Sequence, residues 1–166
     1  MDVNRKMIIE YYHASKYGNG VKVAEEFKKL MASKGVVVNI HHVKKTKPNE
    51  IPVADLYVFS SPGRFGKPIG DMRGFLKKAQ IAPGASYAVL TTEMAPRPDK
   101  KTGKIPTEGS PHQKVRPIMT EILQAKGLRE VAEERVYVLG TKGPLEDGWQ
   151  NKVDTFAKLI RSVLGS

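Results

Sequence analysis

Five strand-like segments separated by helix-like ones restrict the fold more than any other feature of this chain. The strand candidates are 7–12 (MIIEYY), 36–43 (VVVNIHHV), 55–61 (DLYVFSS), 87–92 (YAVLTT) and 135–141 (RVYVLGT). Between and after them, apolar residues recur at helical spacing over 21–34, 70–80, 117–126 and 148–164. Glycines follow the first and third of these helices as stops. Strands that are apolar nearly throughout, joined by helices, imply a parallel sheet covered on both faces. Right-handed crossovers leave few ways to order five such strands. The expectation is a three-layer α/β, doubly wound, five-stranded parallel sheet of order 2-1-3-4-5, one domain spanning 1–166. In such a sheet a ligand sits outside the carboxyl ends of the strands, where the order reverses. The loops after strands 1, 3 and 4 are therefore the ones to read for chemistry.

The loop after strand 1 is HASKYGNG, residues 13–20, and it runs directly into the first helix. Helix N-terminal amides and the helix dipole favour an anion there. Ser15 and Tyr17 add hydroxyls and Asn19 an amide, Lys16 lies among them, and Gly18 and Gly20 let the backbone approach closely. This suits a single phosphate. Neither the G-x-G-x-x-G spacing of a pyrophosphate loop nor a G-K-[S/T] phosphate loop is present. A plain Gly/Asn turn with a Ser cap would look the same from this loop alone.

The loop after strand 3 reads SSPGRFGKPIGDMRGF from Ser60 to Phe75. Pro62, Gly63 and Gly66 make a stiff turn that displays Arg64 and Phe65. Phe65 could lie against a flat ring or tuck beneath the next helix.

Taken together, SKYGNG with VKVAEEF, and SSPGRFGKPIGDMRGFL further on, resemble the flavodoxin-like family. They are most similar to its NAD(P)H:quinone oxidoreductase branch, once called tryptophan-repressor-binding proteins. The branch's S-x-Y-G pattern is matched by Ser15, Tyr17 and Gly18. Its P-T-R-F-G-x-x-x-x-x-M-R-x-F-L pattern is matched at Pro62, Arg64, Phe65, Gly66, Met72, Arg73, Phe75 and Leu76. The resemblance implies that FMN is the cofactor, with its phosphate in Ser15–Gly20 and its ring system against Pro62–Gly66 and the loop after strand 4. It implies electron transfer, with NAD(P)H as donor if the chain is an enzyme, and self-association into a homo-oligomer. Arg64 is then suited to contact the flavin carbonyls or its electron-rich reduced form. Three departures stand out: Gly20 replaces a hydroxyl residue, Gly63 replaces Thr, and the charge is opposite to the acidic surface of typical flavodoxins.

The third loop opens with Thr92, Glu93 and Met94, reasonable partners for the pyrimidine edge of a flavin. Residues 95–117 then hold five of the eleven prolines together with several lysines. That stretch reads either as a basic cover for a phosphorylated or acidic partner or as a solvated insertion.

Composition narrows the chemistry. The chain has no cysteine, so disulfides, thiolate metal sites and iron–sulfur clusters are excluded and redox work needs a borrowed cofactor. Against 17 Asp and Glu stand 28 Lys and Arg, a net charge of +11 that favours anionic partners. A flavin-free module using this basic surface for an acidic protein or nucleic acid is the alternative reading, although no nucleic-acid motif is visible. Apolar runs are too short to cross a bilayer, so a soluble, cytoplasmic protein with no membrane partner is expected. Adjacent His41 and His42 point to opposite faces of a strand and cannot share a metal, and no metal site is expected. His112 is a candidate proton donor on the third loop, and Trp149 reads as packing at the start of the last helix.

Overall fold

A computed structural model describes residues 5–105 and 113–165. Five parallel strands form the sheet: β1 (Ile8–His13), β2 (Val37–His42), β3 (Leu56–Arg64), β5 (Ser86–Met94) and β6 (Arg129–Val138), ordered β2-β1-β3-β5-β6. The expected order is therefore present, with a two-residue antiparallel strand, β4 (Lys67–Pro68), hung on the end of β3. Helices α1 (Asn19–Ala32) and α4 (Trp149–Leu164) cover one face, and α2 (Gly70–Lys78) and α3 (Val115–Ala125) the other.

Strand periodicity explains both cores. On β1, Ile9 and Tyr11 face α1 and α4, where they meet Val23, Phe27, Phe156 and Ile160. The Tyr11 ring lies 5.5 Å from Phe27, which in turn lies 5.6 Å from Phe156. Tyr12 points the other way, into Phe59, Met72, Leu76, Met119 and Leu123. Trp149 packs against the first of these cores, as expected of a residue opening the last helix.

Two boundaries differ from the sequence reading for physical reasons. The last strand was expected over 135–141 but occupies Arg129–Val138. Glu130, Glu133 and Glu134 hide its first half from a hydropathy pattern, yet β6 is an edge strand and can expose alternate residues to water. Its expected tail turns away instead, because Leu139 N–H donates to Pro144 O and Gly143 N–H to Gly140 O. In the same way, β3 runs on through Pro62 and Gly63, since Pro62 is paired in register with Thr92 of β5.

Candidate functional site

Above the carboxyl ends of β1, β3, β5 and β6 lies a cavity of about 480 Å³, within the range of small-molecule sites. Of the fourteen positions singled out from sequence, twelve line it: Ser15, Lys16, Tyr17, Asn19, Gly20, Pro62, Gly63, Arg64, Phe65, Gly66, Thr92 and Met94. Gly18 and Glu93 do not.

The first wall is residues 14–20. Gly18 has φ of 93° and turns the chain into α1, a conformation that a side chain would strain. Its N–H donates to Ser15 Oγ, and Ser15 N–H donates to His13 Nδ1. No side chain caps α1. Among the described residues, the N–H groups of Lys16, Tyr17, Asn19 and Gly20 have no acceptor. Gly20 is buried against Ser15 so closely that a Cβ would lie 2.9 Å from Ser15 Cβ. The hydroxyl residue that the family pattern has there is excluded by this packing. Tyr17, 47% exposed, carries the ammonium of Lys16 5.6 Å from its ring centroid and that of Lys142 at 5.8 Å. Free amides, a helix dipole and the Lys16 ammonium meet at one concavity, with the Lys142 ammonium near the Tyr17 ring beside it, the donor set of a phosphate site.

The second wall is a tight hairpin. Gly63 pairs with Pro68 and Arg64 with Lys67, leaving Phe65-Gly66 as a two-residue turn with φ of 51° and 75°. Positive φ at both positions is the geometry that suits strand twist, and it normally selects Asn-Gly. A phenylalanine in the left-handed region costs on the order of 1–3 kcal/mol. Its ring is 92% exposed, with the Arg64 guanidinium 5.8 Å from its centroid. The alternative of a Phe65 tucked under α2 is thus set aside. Met72, Phe75 and Leu76, the downstream matches to the family pattern, are core residues of α2, and Arg73 donates to Pro68 O, so those matches report packing.

Strand alternation sorts the third wall. Thr92 and Met94 face the cavity, whereas Glu93 between them faces away and is 2% exposed. Its carboxylate accepts from Thr91 Oγ1 at 2.5 Å and lies 3.6 Å from Arg116 Nε and 3.9 Å from Arg135 Nη1. The Glu93 side chain thus ties β5, β6 and α3 together and does not line the cavity.

Sequence reasoning missed Ile69, Gln113, Val138 and Thr141, which also line the cavity. Gln113 precedes α3, and its buried Oε1 has no hydrogen-bond partner; a Cβ on Gly63 would stand 3.3 Å from it. Lys114 N–H donates to Gly66 O, which docks this segment on the hairpin. Part of the Pro-rich loop is thereby built into the site. His112 lies outside the described residues. Among those residues no group of His, Asp or Glu could hold a metal.

Beneath the first wall sit three histidines. His13 is 5% exposed, and its ring centroid lies 4.9 Å from that of His42. Because His42 Nδ1 accepts from Lys44 N–H, its Nε2 is the protonated nitrogen and donates to Ser15 O at 3.0 Å. His41, on the other face, bonds Glu10 at 2.6 Å and stacks on Tyr12. Burial, and then the nearby His42 and His41, hold the His13 imidazole down to about 4. The unfolded chain takes up this proton near the ordinary value of about 6.5, so stability is expected to fall as pH drops from there towards 4, by up to about 1.4 kcal/mol per unit. Urea denaturation across that range should show a shallower fall for His13→Asn, whose side-chain oxygen can still accept from Ser15.

A doubly wound sheet with helices on both faces and an anion-ready loop at its switch point is the flavodoxin-like fold. Flavodoxin 2 from Bacillus cereus superposes with a TM-score of 0.73 at 17% identity, over 96% of this chain and 99% of that one. The flavodoxin of Streptococcus pneumoniae TIGR4 gives 0.69 at 14% identity, over 94% and 99%. The rubredoxin oxygen:oxidoreductase of Desulfovibrio gigas gives 0.69 at 15% identity over 96% of this chain, which spans 37% of that larger protein. No known family profile matches the sequence, and no curated protein matches it. No helix among the described residues is long and apolar enough to cross a membrane.

Proposed function

We propose that this protein binds FMN and uses it to transfer electrons, and that its finer activity is NAD(P)H-dependent reduction of a quinone or related acceptor. One observation carries the reading: unpartnered amides at the uncapped start of α1 open on the same cavity as a strained, exposed Phe65. The residues present fit the group. Lys16 to Gly20 would hold the phosphate, with Lys16 and Lys142 adding charge. Pro62 to Gly66 would face the ring, and Thr92 and the orphaned Gln113 carbonyl are placed for its polar edge. Bound FMN would supply the redox chemistry that a chain without cysteine lacks. The chain's own work is to fix the cofactor, exclude water from one side of it and set the charge around it.

The test is direct. Protein mixed with FMN should quench flavin fluorescence and retain a yellow chromophore through desalting, and it should oxidise NAD(P)H when a quinone is added. Quenching without NAD(P)H oxidation would leave a carrier; no quenching at all would leave a flavin-free module. Phe65 offers a second check. Phe65→Gly should weaken FMN by about tenfold through lost stacking, yet raise the stability of the apoprotein by about 1 kcal/mol through relief of the positive φ. Titration and urea denaturation of the same variant read both signs.

A further inference from the structure

We propose that the rim around the cavity is a docking surface for a protein that presents clustered carboxylates. Its use rests on the electron-transfer reading, since the rim loops leave the same strand ends that carry the candidate cofactor site. The charge is unevenly placed. In the described segments at and beyond the carboxyl ends of β1, β3, β5 and β6 (14–18, 62–69, 95–105, 113–114 and 139–148) there are nine lysines and arginines and three carboxylates. Connections at the opposite end of the sheet, 33–36, 79–85 and 126–128, carry only Lys34 and Lys126.

The rim cations are also unspent. None of the nine forms an ion pair among the described residues. Two of the three rim carboxylates are already engaged. Asp99 Oδ1 accepts from Lys101 and Thr102 N–H groups, and Glu146 accepts from Lys152 and from Tyr137 N–H. These bonds have a consequence for shape. Together with Asp99 N–H donating to Lys104 O at 2.8 Å, they fold 99–104 into a turn that holds Lys100, Lys101 and Lys104 outward. On the neighbouring hairpin Lys67 is exposed, and Lys114 is tied to its tip through Gly66 O.

Apolar side chains stand among these charges: Phe65 at 92% exposure and Ile105 at 59%. An aromatic anchor inside a charged rim is the anatomy of a protein interface. The cations come from four separate loops at the carboxyl end of the sheet, an arrangement that suits clustered carboxylates on a folded partner, and competition by a single-stranded nucleic acid is an outcome of the binding test. Like charge repels the basic partners that an acidic protein would attract, so the rim selects as well as steers.

The binding test needs no flavin. The protein is titrated into fluorescein-labelled poly-glutamate peptide, and separately into single-stranded oligothymidylate of matched charge, with anisotropy as the readout. Peptide binding that weakens with salt is expected. The triple variant Lys67→Glu, Lys100→Glu, Lys101→Glu should weaken it by at least about tenfold, and the corresponding triple Gln variant by less. None of these three residues lines the cavity, so FMN affinity should stay within about threefold of wild type. The proposal is overturned by absence of peptide binding at low salt, by a triple Glu variant that binds as wild type, or by tighter binding of the oligothymidylate. A wild type that captures the peptide but fails to bind FMN keeps the docking surface and removes the electron-transfer reading.

Discussion

Gly20→Val is expected to lower FMN affinity by at least about a hundredfold, some 2.7 kcal/mol. The added Cβ would meet Ser15 Cβ at 2.9 Å and Ser15 Oγ at 3.2 Å. Ser15 is the post on which the loop turns. Its Oγ accepts from Gly18, its N–H reaches His13 and its carbonyl accepts from His42. A displaced Ser15 therefore opens the cradle of amides that would face the phosphate. Overpacking should also cost the apoprotein about 1–3 kcal/mol, so affinity is to be measured well below the unfolding midpoint. Riboflavin separates the two effects, since it has the ring system and no phosphate. The valine variant should lose much less affinity for riboflavin than for FMN. Equal losses for both would mean that the loop does not hold the phosphate, and an unchanged FMN affinity would remove the anion cradle from the site altogether.

The sheet was legible because its signals are of long range and mutually consistent. Strands apolar on both sides, helices with one apolar stripe and stops at Gly35 and Gly127 all point to the same layers. Signals failed where local sequence carries a second message. Glu130, Glu133 and Glu134 mask the first half of β6 because an edge strand needs only one dry side. Pro62 and Gly63 look like a break, yet they sit at the end of β3, beyond which only the short β4 pairs. A turn of Phe-Gly was not expected to close a hairpin, since phenylalanine is a poor residue for positive φ.

For the site, contiguous motifs were readable and assembled ones were not. Ser15–Gly20 and Pro62–Gly66 are loops whose own residues meet the cavity. Gln113, Val138 and Thr141 reach it only through the docking of α3 on the hairpin and the closure of the turn after β6. Nothing in their immediate sequence marks them. The contact of Gly143 with Asn19, where a Cβ would fall 2.9 Å from the amide oxygen, belongs to the same class. Glu93 shows the converse case. Its neighbours Thr92 and Met94 line the cavity, but the two-residue period of a strand sends the side chain between them to the opposite face.

That opposite face makes Glu93→Ala the most destabilising substitution expected, by about 3 kcal/mol. The carboxylate is 2% exposed, and the Arg116 and Arg135 side chains beside it are 23% and 19% exposed. Without it two guanidinium groups lose their common counter-ion, and Thr91 Oγ1 loses its acceptor. Arg116 keeps its 2.7 Å bond to Glu133, and Arg135 keeps the Tyr137 ring 5.1 Å away, which limits the loss. Glu93→Gln should lose less, about 1–2 kcal/mol, because its amide oxygen can still accept from Thr91. The difference between the two variants should persist at high salt, as screening reaches a buried pair weakly. FMN affinity should remain within about threefold in both variants, under about 0.7 kcal/mol, since the Glu93 side chain does not line the cavity. Urea denaturation and flavin titration of the pair decide between the two roles assigned to this residue. A stable alanine variant with a large loss of FMN affinity would return Glu93 to the cofactor, whereas an unstable one with near-native affinity makes it the strut that fixes β6 and α3 behind the site.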